Sequence, residues 1–405
     1  MTALARGARD VAYQALAALA DGRIDRLDEH LDRHAPDDGR DAGLARELAL
    51  GAVRYQRLYD QIAARFLKPG PQPPPLLITL RLGCHQLFAL DRVPPHAAVH
   101  ETVEVLRATG HRKLVPVANA VMRRLSELRL ETRTGEGPLG RISAEDQPTS
   151  AAVRHSIPDL LLDDLREALP GSEDDSLAAL NILPHLCTRT RPGRPLPVGA
   201  SILKRDGVLT WWDDPQEALR GPVADGVCVV QDAAQGEVVR LSAARPLDLV
   251  LDLCSAPGGK SVALADRGCR VIAADLSIVK LRAMKEPPLR LAQDGLVPAL
   301  LPAFDVVLVD APCSNTGVLA RRPEARWRYD RTNLASLERL QYGLIRAGAS
   351  LVAPGGRLVY STCSLTRREN QGIAHRLDGW RLLGEQSTWP DAWRGGGYVA
   401  VLVRS

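Results

Sequence analysis

The chain has 405 residues, of which 45% are hydrophobic and 25% charged, and its formal net charge at pH 7 is +4. This length allows two or three domains, and the ordinary globular composition argues against long disordered regions. The net charge is too small to indicate a nucleic-acid partner by itself, so only a local cluster of arginines could do so.

The cysteine pattern and the absence of long apolar runs both predict a cytoplasmic protein. Seven cysteines stand at positions 84, 187, 228, 254, 269, 313 and 363, and no two form a Cys-x-x-Cys pair. This arrangement favours reduced thiols over a disulfide framework. The first 20 residues lack the uncharged apolar run of a secretion signal, and no apolar stretch reaches the roughly 18 residues that a membrane-spanning helix needs.

The first part of the chain has helical periodicity. Apolar residues recur every three or four positions, as in Leu44, Leu48 and Ala52, up to about residue 130. Proline-rich breaks at Lys68–Pro75 and Val93–His96 separate the helices. The pattern predicts an all-helical domain over residues 1–130, and the Gly, Thr, Arg and Glu content of residues 131–148 indicates a linker.

Residues 149–225 show a mixed pattern, from which we expect a small α+β connecting subdomain. Helices are predicted over Pro158–Ala168 and Asp175–Ile182, and short strands over Thr188–Thr190 and Val208–Trp212.

From residue 226 to residue 405, apolar runs alternate with helical stretches. This alternation predicts an α/β domain with a doubly wound, Rossmann-like parallel sheet, in which ligands bind beyond the carboxyl ends of the strands. The predicted strands are Leu247–Leu253, Arg270–Ala274, Leu289–Ala292, Asp305–Val309, Arg357–Tyr360 and Tyr398–Val403.

The turns after these strands predict a pocket for an adenosyl cofactor. The first strand leads into Asp252-Leu-Cys-Ser-Ala-Pro-Gly-Gly-Lys260, a glycine-containing turn that opens a helix. Asp275 ends the second strand, where a carboxylate usually accepts hydrogen bonds from ribose hydroxyls. Asp294 and Asp310 end the third and fourth strands. Neither GxGxxG nor GxxxxGK[ST] is present, which favours a cofactor without phosphates.

Two cysteines also follow strands on the predicted ligand side of the sheet. Cys313 lies in Asp310-Ala-Pro-Cys-Ser314, and Cys363 lies in Ser361-Thr-Cys-Ser364. A thiolate at either position could act as a nucleophile. The other five cysteines are isolated, and four of them, at positions 84, 187, 228 and 269, are interpreted as small buried residues.

The motifs DLCSAPGGK, DAPCSNTG followed by RRPEARW, and STCS, in this order, resemble the RNA 5-methylcytosine methyltransferases of the NOL1/NOP2/Sun family. The upstream segments RELALGAVR, LRLGCHQLFALDRVPPHAAVHETV and VANAVMRRL resemble the NusB-like domain of the branch that acts on bacterial small-subunit ribosomal RNA. The resemblance covers nearly the whole chain. It implies a class I methyltransferase domain, S-adenosylmethionine as cofactor and 16S ribosomal RNA as substrate.

The resemblance also implies roles for individual residues. Cys363 would attack carbon 6 of the cytosine, Cys313 would assist release of the product, Asp310 would bind the edge of the base, and Lys260 would lie close to it. The cofactor would be bound by Cys254, Ser255, Ala256, Pro257, Gly258, Gly259, Lys260, Asp275, Asp294 and Asp310.

RNA contacts are predicted just after the first cysteine motif, where basic and aromatic residues alternate. The residues expected to bind RNA are Arg321, Arg322, Arg326, Trp327 and Arg328. The segment Leu186–Arg205 contains five basic residues and no acidic one. This pattern predicts an RNA-binding surface and a solvated face equally well.

Several alternatives stay open at this point. The chain could be a NusB-like RNA-binding factor without activity, or a DNA cytosine methyltransferase that attacks with Cys313, or it could modify transfer RNA.

Two histidine pairs, 30/34 and 96/100, have helical metal-pair spacing, but no third ligand accompanies them, so no metal is expected. We expect a monomer. Only 18 residues separate Asp275 from Asp294, including Pro287-Pro288, which predicts an altered adenine side of the pocket.

Overall fold

The computed structural model describes residues 7–135, 137–284 and 289–405. The chain divides into two compact units. The helical unit comprises residues 1–162, 172–181 and 319–328, and the sheet unit comprises residues 163–171, 182–318 and 329–405. The segment 319–328 therefore belongs to the helical unit, although it lies within the sequence of the sheet unit.

Within the described residues, ten α-helices precede the first strand. They are α1 Ala8–Ala20, α2 Leu27–Arg33, α3 Gly39–Arg54, α4 Gln56–Ala64, α5 Pro74–Phe88, α6 Pro95–Ala108, α7 Val115–Glu127, α8 Ala151–Arg154, α9 Asp159–Arg166 and α10 Glu173–Ala179. Their starts follow local signals: the Asp38 carboxylate caps α3 by accepting hydrogen bonds from two backbone amides, and prolines occupy the first turns of α5, α6 and α7. Short 3-10 helices span Arg112–Leu114, Pro138–Arg141 and Pro323–Arg328.

The predicted linker at residues 131–148 is instead part of the folded helical unit. Arg133 and Arg141 both form ion pairs with Asp91, at 3.0 and 2.6 Å, and Ile142 is buried in the helical core. Composition was misleading because the arginines, which suggested a solvated segment, bind a partner far away in the sequence.

The described part of the sheet unit contains eleven strands in two sheets. The strands are β1 Cys187–Thr190, β2 Ile202–Asp206, β3 Leu209–Trp212, β4 Cys228–Val230, β5 Leu249–Asp252, β6 Arg270–Asp275, β7 Arg290–Ala292, β8 Phe304–Asp310, β9 Val352–Thr362, β10 Trp380–Thr388 and β11 Gly397–Arg404. The smaller sheet has the order β2-β3-β1-β4 with antiparallel pairing, and the central sheet has the order β10-β11-β9-β8-β5-β6-β7. The helices are α11 Pro215–Arg220, α12 Ala233–Leu241, α13 Gly259–Asp266, α14 Ile278–Ala283, α15 Arg331–Ser350 and α16 Gln371–Ala374, with a 3-10 turn at Thr316–Val318.

The predicted Rossmann-like sheet is confirmed, with two differences at one edge. Strands β5 to β9 pair in parallel, but β11 pairs antiparallel with both β9 and β10. Strand β10 was not predicted because most of its residues are exposed, so it lacks an apolar pattern.

The predicted connecting subdomain is divided: helices α8 and α10 belong to the helical unit, and strands β1 to β3 belong to the sheet unit.

Both faces of the central sheet are covered. Along β8, Val307 and Val309 face the core formed with α15, whereas Val306 and Leu308 face the core formed with α12 and α13. Burial on both faces explains the continuous apolar runs of these strands and leaves their carboxyl ends as the accessible edge. Within the described residues, no helix combines the length and the apolar character needed to cross a membrane.

Candidate active site

The loop between β5 and α13 brings backbone amides to the carboxyl edge of the sheet. Gly258, which precedes α13, has φ +103°, a conformation that favours glycine. Asp252, at the end of β5, is buried and accepts a hydrogen bond from Ser261 Oγ at 2.5 Å. Burial raises the pKa of Asp252 to about 7. The loop thus follows directly on a buried carboxyl group at the end of β5.

The four predicted acidic residues gather around this loop. Asp275 accepts hydrogen bonds from Ala256 N at 3.1 Å and from Ser277 N at 2.9 Å, so it fixes the loop to the end of β6. The pKa of the Cys254 thiol is raised, chiefly by burial and then by the charges of Asp252, Asp310, Asp275 and Asp294. The strands that precede these residues, β8, β5, β6 and β7, are successive neighbours in the sheet, so the four residues follow adjacent strand ends as expected.

The loop offers features that suit a nucleoside. Asp252 Oδ1 and Ser255 Oγ are buried without a hydrogen-bond partner among the described residues. Exposed apolar side chains follow Asp275 and Asp294 in the sequence. Leu276, directly after Asp275, is 74% exposed, and Val297, three residues after Asp294, is 77% exposed. In the described part of the predicted short connection, α14 has six residues and precedes β7, and Pro287-Pro288 lies outside the described residues.

A polar network connects the first turn of α13 to strand β8. Lys260 is 4% exposed, and its Nζ lies 2.5 Å from Asp310 Oδ2 and within hydrogen-bond distance of Gln235 Oε1. The other oxygen of Asp310 accepts a hydrogen bond from Ser361 Oγ at 2.8 Å. The carboxylate of Asp310 is therefore fixed in orientation by residues of α13 and β9.

The two predicted cysteines meet at the ends of β8 and β9. Their Sγ atoms are 3.1 Å apart, and Cys363 Sγ lies 3.3 Å from Asn315 Oδ1. Asn315 also donates a hydrogen bond to the Cys313 carbonyl oxygen at 3.0 Å. The contact with Cys363, together with burial, raises the pKa of the Cys313 thiol. Two thiols therefore lie at the same point of the accessible edge.

Three residues that contact these groups were not predicted from the sequence: Gln235, Asn315 and Glu369. Asn315 stands inside the quoted motif DAPCSNTG, and its positive φ of 62° is a signal visible only in the structure. Glu369 is fully buried and accepts hydrogen bonds from residues of both cysteine segments. Neither Gln235 nor Glu369 carries a local sequence signal.

The prediction that Arg326 contacts RNA is wrong, because this side chain is fully buried inside the helical unit. Its guanidinium donates to the carbonyl oxygens of Arg54, His155 and Ser156 and to Asn181 Oδ1, at 2.9 to 3.2 Å. Burial lowers the pKa of Arg326 to about 9. The arginine stabilises the fold instead of presenting charge to a ligand.

The remaining predicted RNA-binding residues differ in exposure. Trp327 is partly buried, and its indole N–H donates to the Val53 carbonyl oxygen at 3.0 Å. The Arg328 side chain is 41% exposed and lies 3.7 Å from Asp25, while Arg321 and Arg322 are half-buried. Trp327 therefore presents only part of its ring, and Arg328 is the most accessible cation of the set.

The basic segment Leu186–Arg205 is partly structural. Arg189 and Arg191 form ion pairs with Asp266 at 2.7 and 2.9 Å, and Lys204 lies over the ring of Trp211.

Across residues 7–135, 137–284 and 289–405, no group of three or more His, Cys, Asp or Glu side chains could hold a metal ion.

Comparison with known proteins gives two family matches on one chain. Residues 240–378 match the model of the 16S rRNA methyltransferase RsmB/F family, and residues 6–127 match the NusB family. The chain is 32% identical to a probable ribosomal RNA small subunit methyltransferase B from Synechocystis sp., covering 87% of this chain and 83% of the relative. It is 30% identical to the ribosomal RNA small subunit methyltransferase B of Vibrio cholerae, covering 87% and 85%.

A solved structure shares the fold over the whole length. The crystal structure of PH0851 superposes with a TM-score of 0.74 at 18% identity, covering all of both chains. At this identity the likeness concerns the fold alone, and the sequence relatives carry the family assignment. The chain belongs to the RsmB/F family of 16S rRNA methyltransferases, with a NusB-type helical domain ahead of its Rossmann-like sheet.

Proposed function

We propose that this protein methylates carbon 5 of a cytosine in small-subunit ribosomal RNA through a covalent bond between Cys363 and the base. The methyl donor of the family is S-adenosylmethionine. The observation that carries the proposal is the pair of thiols, whose sulfur atoms lie 3.1 Å apart at the ends of adjacent parallel strands. They lie on the same edge of the sheet as residues 253–260, between β5 and the first turn of α13, which we call the cofactor loop.

The cofactor loop has the groups that an adenosyl ligand requires. Asp275 uses one lone pair of each oxygen for backbone amides, which leaves further lone pairs for ribose hydroxyls. Gly258 lets the backbone approach closely, and Ser255 Oγ is a buried polar atom that has no hydrogen-bond partner in the described part of the chain. Leu276 and Val297 offer apolar surface for an adenine ring. When bound, S-adenosylmethionine supplies an electrophilic methyl group.

Carbon 5 of cytosine is a weak nucleophile, so the protein must activate the base. We assign this step to Cys363, whose thiolate adds to carbon 6 and forms a sulfur–carbon bond. The electron pair of the former double bond moves to carbon 5, which then takes the methyl group. Loss of the carbon 5 proton and cleavage of the sulfur–carbon bond release 5-methylcytosine and regenerate the thiolate.

Asp310, Lys260 and Cys313 would assist these steps. Asp310 is held by Lys260 and by Ser361 Oγ, so its carboxyl group is preorganised to accept or donate a proton at the base edge. Cys313 lies against the attacking sulfur and would take part in its departure. The carbon 5 proton passes to a general base as the sulfur–carbon bond breaks.

The role assignment is tested by the covalent species that each cysteine variant leaves behind. Purified wild type, Cys313→Ala, Cys363→Ala and the double variant are incubated with ribosomal RNA and S-adenosylmethionine and run on a denaturing gel. Cys313→Ala should accumulate a protein–RNA adduct, because attack and methyl transfer continue while release stalls. Cys363→Ala and the double variant should form none. Cys228→Ala removes a buried thiol of the smaller sheet and should behave as wild type.

The opposite pattern, with the adduct lost in Cys313→Ala and retained in Cys363→Ala, would assign attack to Cys313, as in DNA cytosine methyltransferases. Full turnover by Cys363→Ala would exclude covalent catalysis through this residue. The substrate is tested separately by bisulfite sequencing of ribosomal and transfer RNA from a strain lacking the gene. One protected cytosine should disappear from 16S ribosomal RNA, and a loss confined to transfer RNA would contradict the proposed substrate.

A further inference from the structure

Glu369 is a fully buried carboxylate on which five hydrogen-bond donors converge. Its Oε1 accepts from Ser314 N at 2.8 Å and from Gln341 Nε2 at 3.0 Å. Its Oε2 accepts from Ser364 Oγ at 2.6 Å, from Thr366 Oγ1 at 3.2 Å and from the hydroxyl of Ser314. Since an ionised carboxyl group offers about four lone-pair positions, its accepting capacity is filled.

Four of these five donors, on Ser314, Ser364 and Thr366, belong to the two cysteine segments. Ser314 directly follows Cys313, and Ser364 directly follows Cys363. The segment that contains Cys313 has a further contact. Gln341 of α15 donates one N–H to Glu369 and also donates to the Pro312 carbonyl oxygen at 2.9 Å. One carboxylate therefore binds both segments at the residue next to each thiol.

The arrangement restricts the two thiols. Burying a carboxylate is unfavourable unless its hydrogen bonds are satisfied, so any movement of either segment away from Glu369 leaves buried charge without a donor. Bonds to a charged acceptor are also shorter and stronger than neutral ones. The Sγ atoms are held 3.1 Å apart by this restriction, and neither cysteine needs a bond of its own to the carboxylate.

We infer that Glu369 is a positioning residue that holds the Cys313 and Cys363 segments in the relative placement the reaction needs. The consequence for catalysis rests on the proposed function, but the placement itself can be measured without RNA or cofactor. Two thiols in contact are oxidised rapidly by diamide: each loses one hydrogen, the sulfurs join, and the azo group of the reagent becomes a hydrazine. The rate of formation of the Cys313–Cys363 disulfide therefore reports how the two segments are placed.

The test compares Glu369→Leu, Glu369→Gln and the control Glu385→Leu, with disulfide formation followed by peptide mass spectrometry. Glu369→Leu keeps much of the side-chain volume but removes every acceptor, and the rate should fall about tenfold or more, as expected for a loss of alignment. In Glu369→Gln the amide oxygen can still accept from Ser314 N, and the hydroxyls can rotate to accept from the amide. This variant should stay within about threefold of wild type, because neutral bonds keep about half the strength of charge-assisted ones.

The control residue Glu385 accepts hydrogen bonds from His375 and Tyr398 and is not among the acceptors of Ser314, Ser364 or Thr366, so its variant should match wild type. Thermal melting checks that each variant folds. If Glu369→Leu does not fold, the double variant Ser314→Ala and Ser364→Ala removes one hydroxyl from each segment and should slow the disulfide in the same direction. A folded Glu369→Leu with the wild-type rate, or a wild type that forms no Cys313–Cys363 disulfide, would overturn the inference.

Methylation assays then separate this inference from the proposed function. In Glu369→Leu, kcat should fall while the KM for S-adenosylmethionine stays unchanged, and Glu369→Gln should recover most of kcat. Equal losses in the Leu and Gln variants would mean that the charge of Glu369 acts, and not its hydrogen bonds, which would also overturn the inference. A wild type without RNA methylation, but with a disulfide rate that depends on Glu369, would contradict the proposed function alone.

Discussion

Arg326 Nη1 donates a hydrogen bond to the Arg54 carbonyl oxygen at 2.9 Å, between residues that are 272 positions apart in the sequence. Together with its bonds to His155, Ser156 and Asn181, this contact makes Arg326 a buried connection among distant segments of the helical unit. Arg328, two residues further on, is 41% exposed. Two arginines of one basic run therefore have different surroundings.

Arg326→Ala should destabilise the helical unit by about 2 to 4 kcal/mol, because the carbonyl oxygens of Arg54, His155 and Ser156 lose a charged donor. Urea denaturation followed by circular dichroism measures the loss. The matched variant Arg328→Ala should keep wild-type stability and instead weaken RNA binding, with the salt dependence reduced by about one phosphate contact. A stable Arg326→Ala with reduced RNA affinity would restore the RNA-binding interpretation of this residue.

Asp252→Asn should change the pH dependence of stability. Burial raises the pKa of Asp252 from 3.8 to about 7, so the folded protein binds a proton that the unfolded chain releases in this range. The contribution of the protonated group is complete below the unfolded pKa and is lost as the pH rises toward the folded one. The advantage of Asp252→Asn over wild type should therefore grow by about 2 to 3 kcal/mol between pH 5 and pH 8.

Chemical denaturation at the two pH values measures this difference. Asp206→Asn, on the exposed strand β2, should follow wild type at both. If the difference between Asp252→Asn and wild type is the same at pH 5 and pH 8, the carboxyl group of Asp252 does not titrate between them.

Asp275→Ala should weaken S-adenosylmethionine binding, since the ribose hydroxyls would lose a charged acceptor worth about 1.5 to 3 kcal/mol. The variant also removes the acceptor of Ala256 N, so the cofactor loop loses one of its fixed points. Isothermal titration calorimetry gives the affinity, with Asp206→Ala as a control outside the loop. Unchanged affinity in Asp275→Ala would remove this residue from the cofactor site.

Gly258 and Gly259 offer a paired test of the loop backbone. An alanine at 258 must adopt φ +103°, which costs roughly 1 to 2 kcal/mol for an L-residue, so Gly258→Ala should lower the melting temperature without ligand. Gly259 begins α13, and a Cβ there meets nothing within 4 Å, so Gly259→Ala should melt at or above the wild-type temperature. Equal melting of the two variants would show that the backbone at 258 relaxes.

The sequence predicted the features that depend on neighbouring residues. The ends of the parallel strands, and the cysteines placed just after two of them, follow from local apolar runs and from the direction of parallel strands. The same rule brings the carboxylates of Asp252, Asp275 and Asp310 to one edge, because β5, β6 and β8 are parallel neighbours in the sheet.

Features that depend on distant partners could not be predicted in this way. An arginine in a basic run is assigned to the surface by its charge, and only carbonyl oxygens more than 100 positions away show that Arg326 is buried. Glu369 stands in the polar run Arg367-Arg-Glu-Asn370, which has the composition of a solvated turn. The exposed edge strand β10 lacks the alternation that would have indicated it.

The membership of residues 319–328 in the helical unit has a consequence for biosynthesis. A ribosome makes the chain from its amino terminus, and domains commonly fold as they emerge. The helical unit cannot do so completely, because the guanidinium that satisfies the carbonyl oxygens of Arg54, His155 and Ser156 is added only after strand β8 has been made. The amino-terminal unit is thus begun first but completed late, and a gene fragment ending before residue 319 would encode it without its last buried cation.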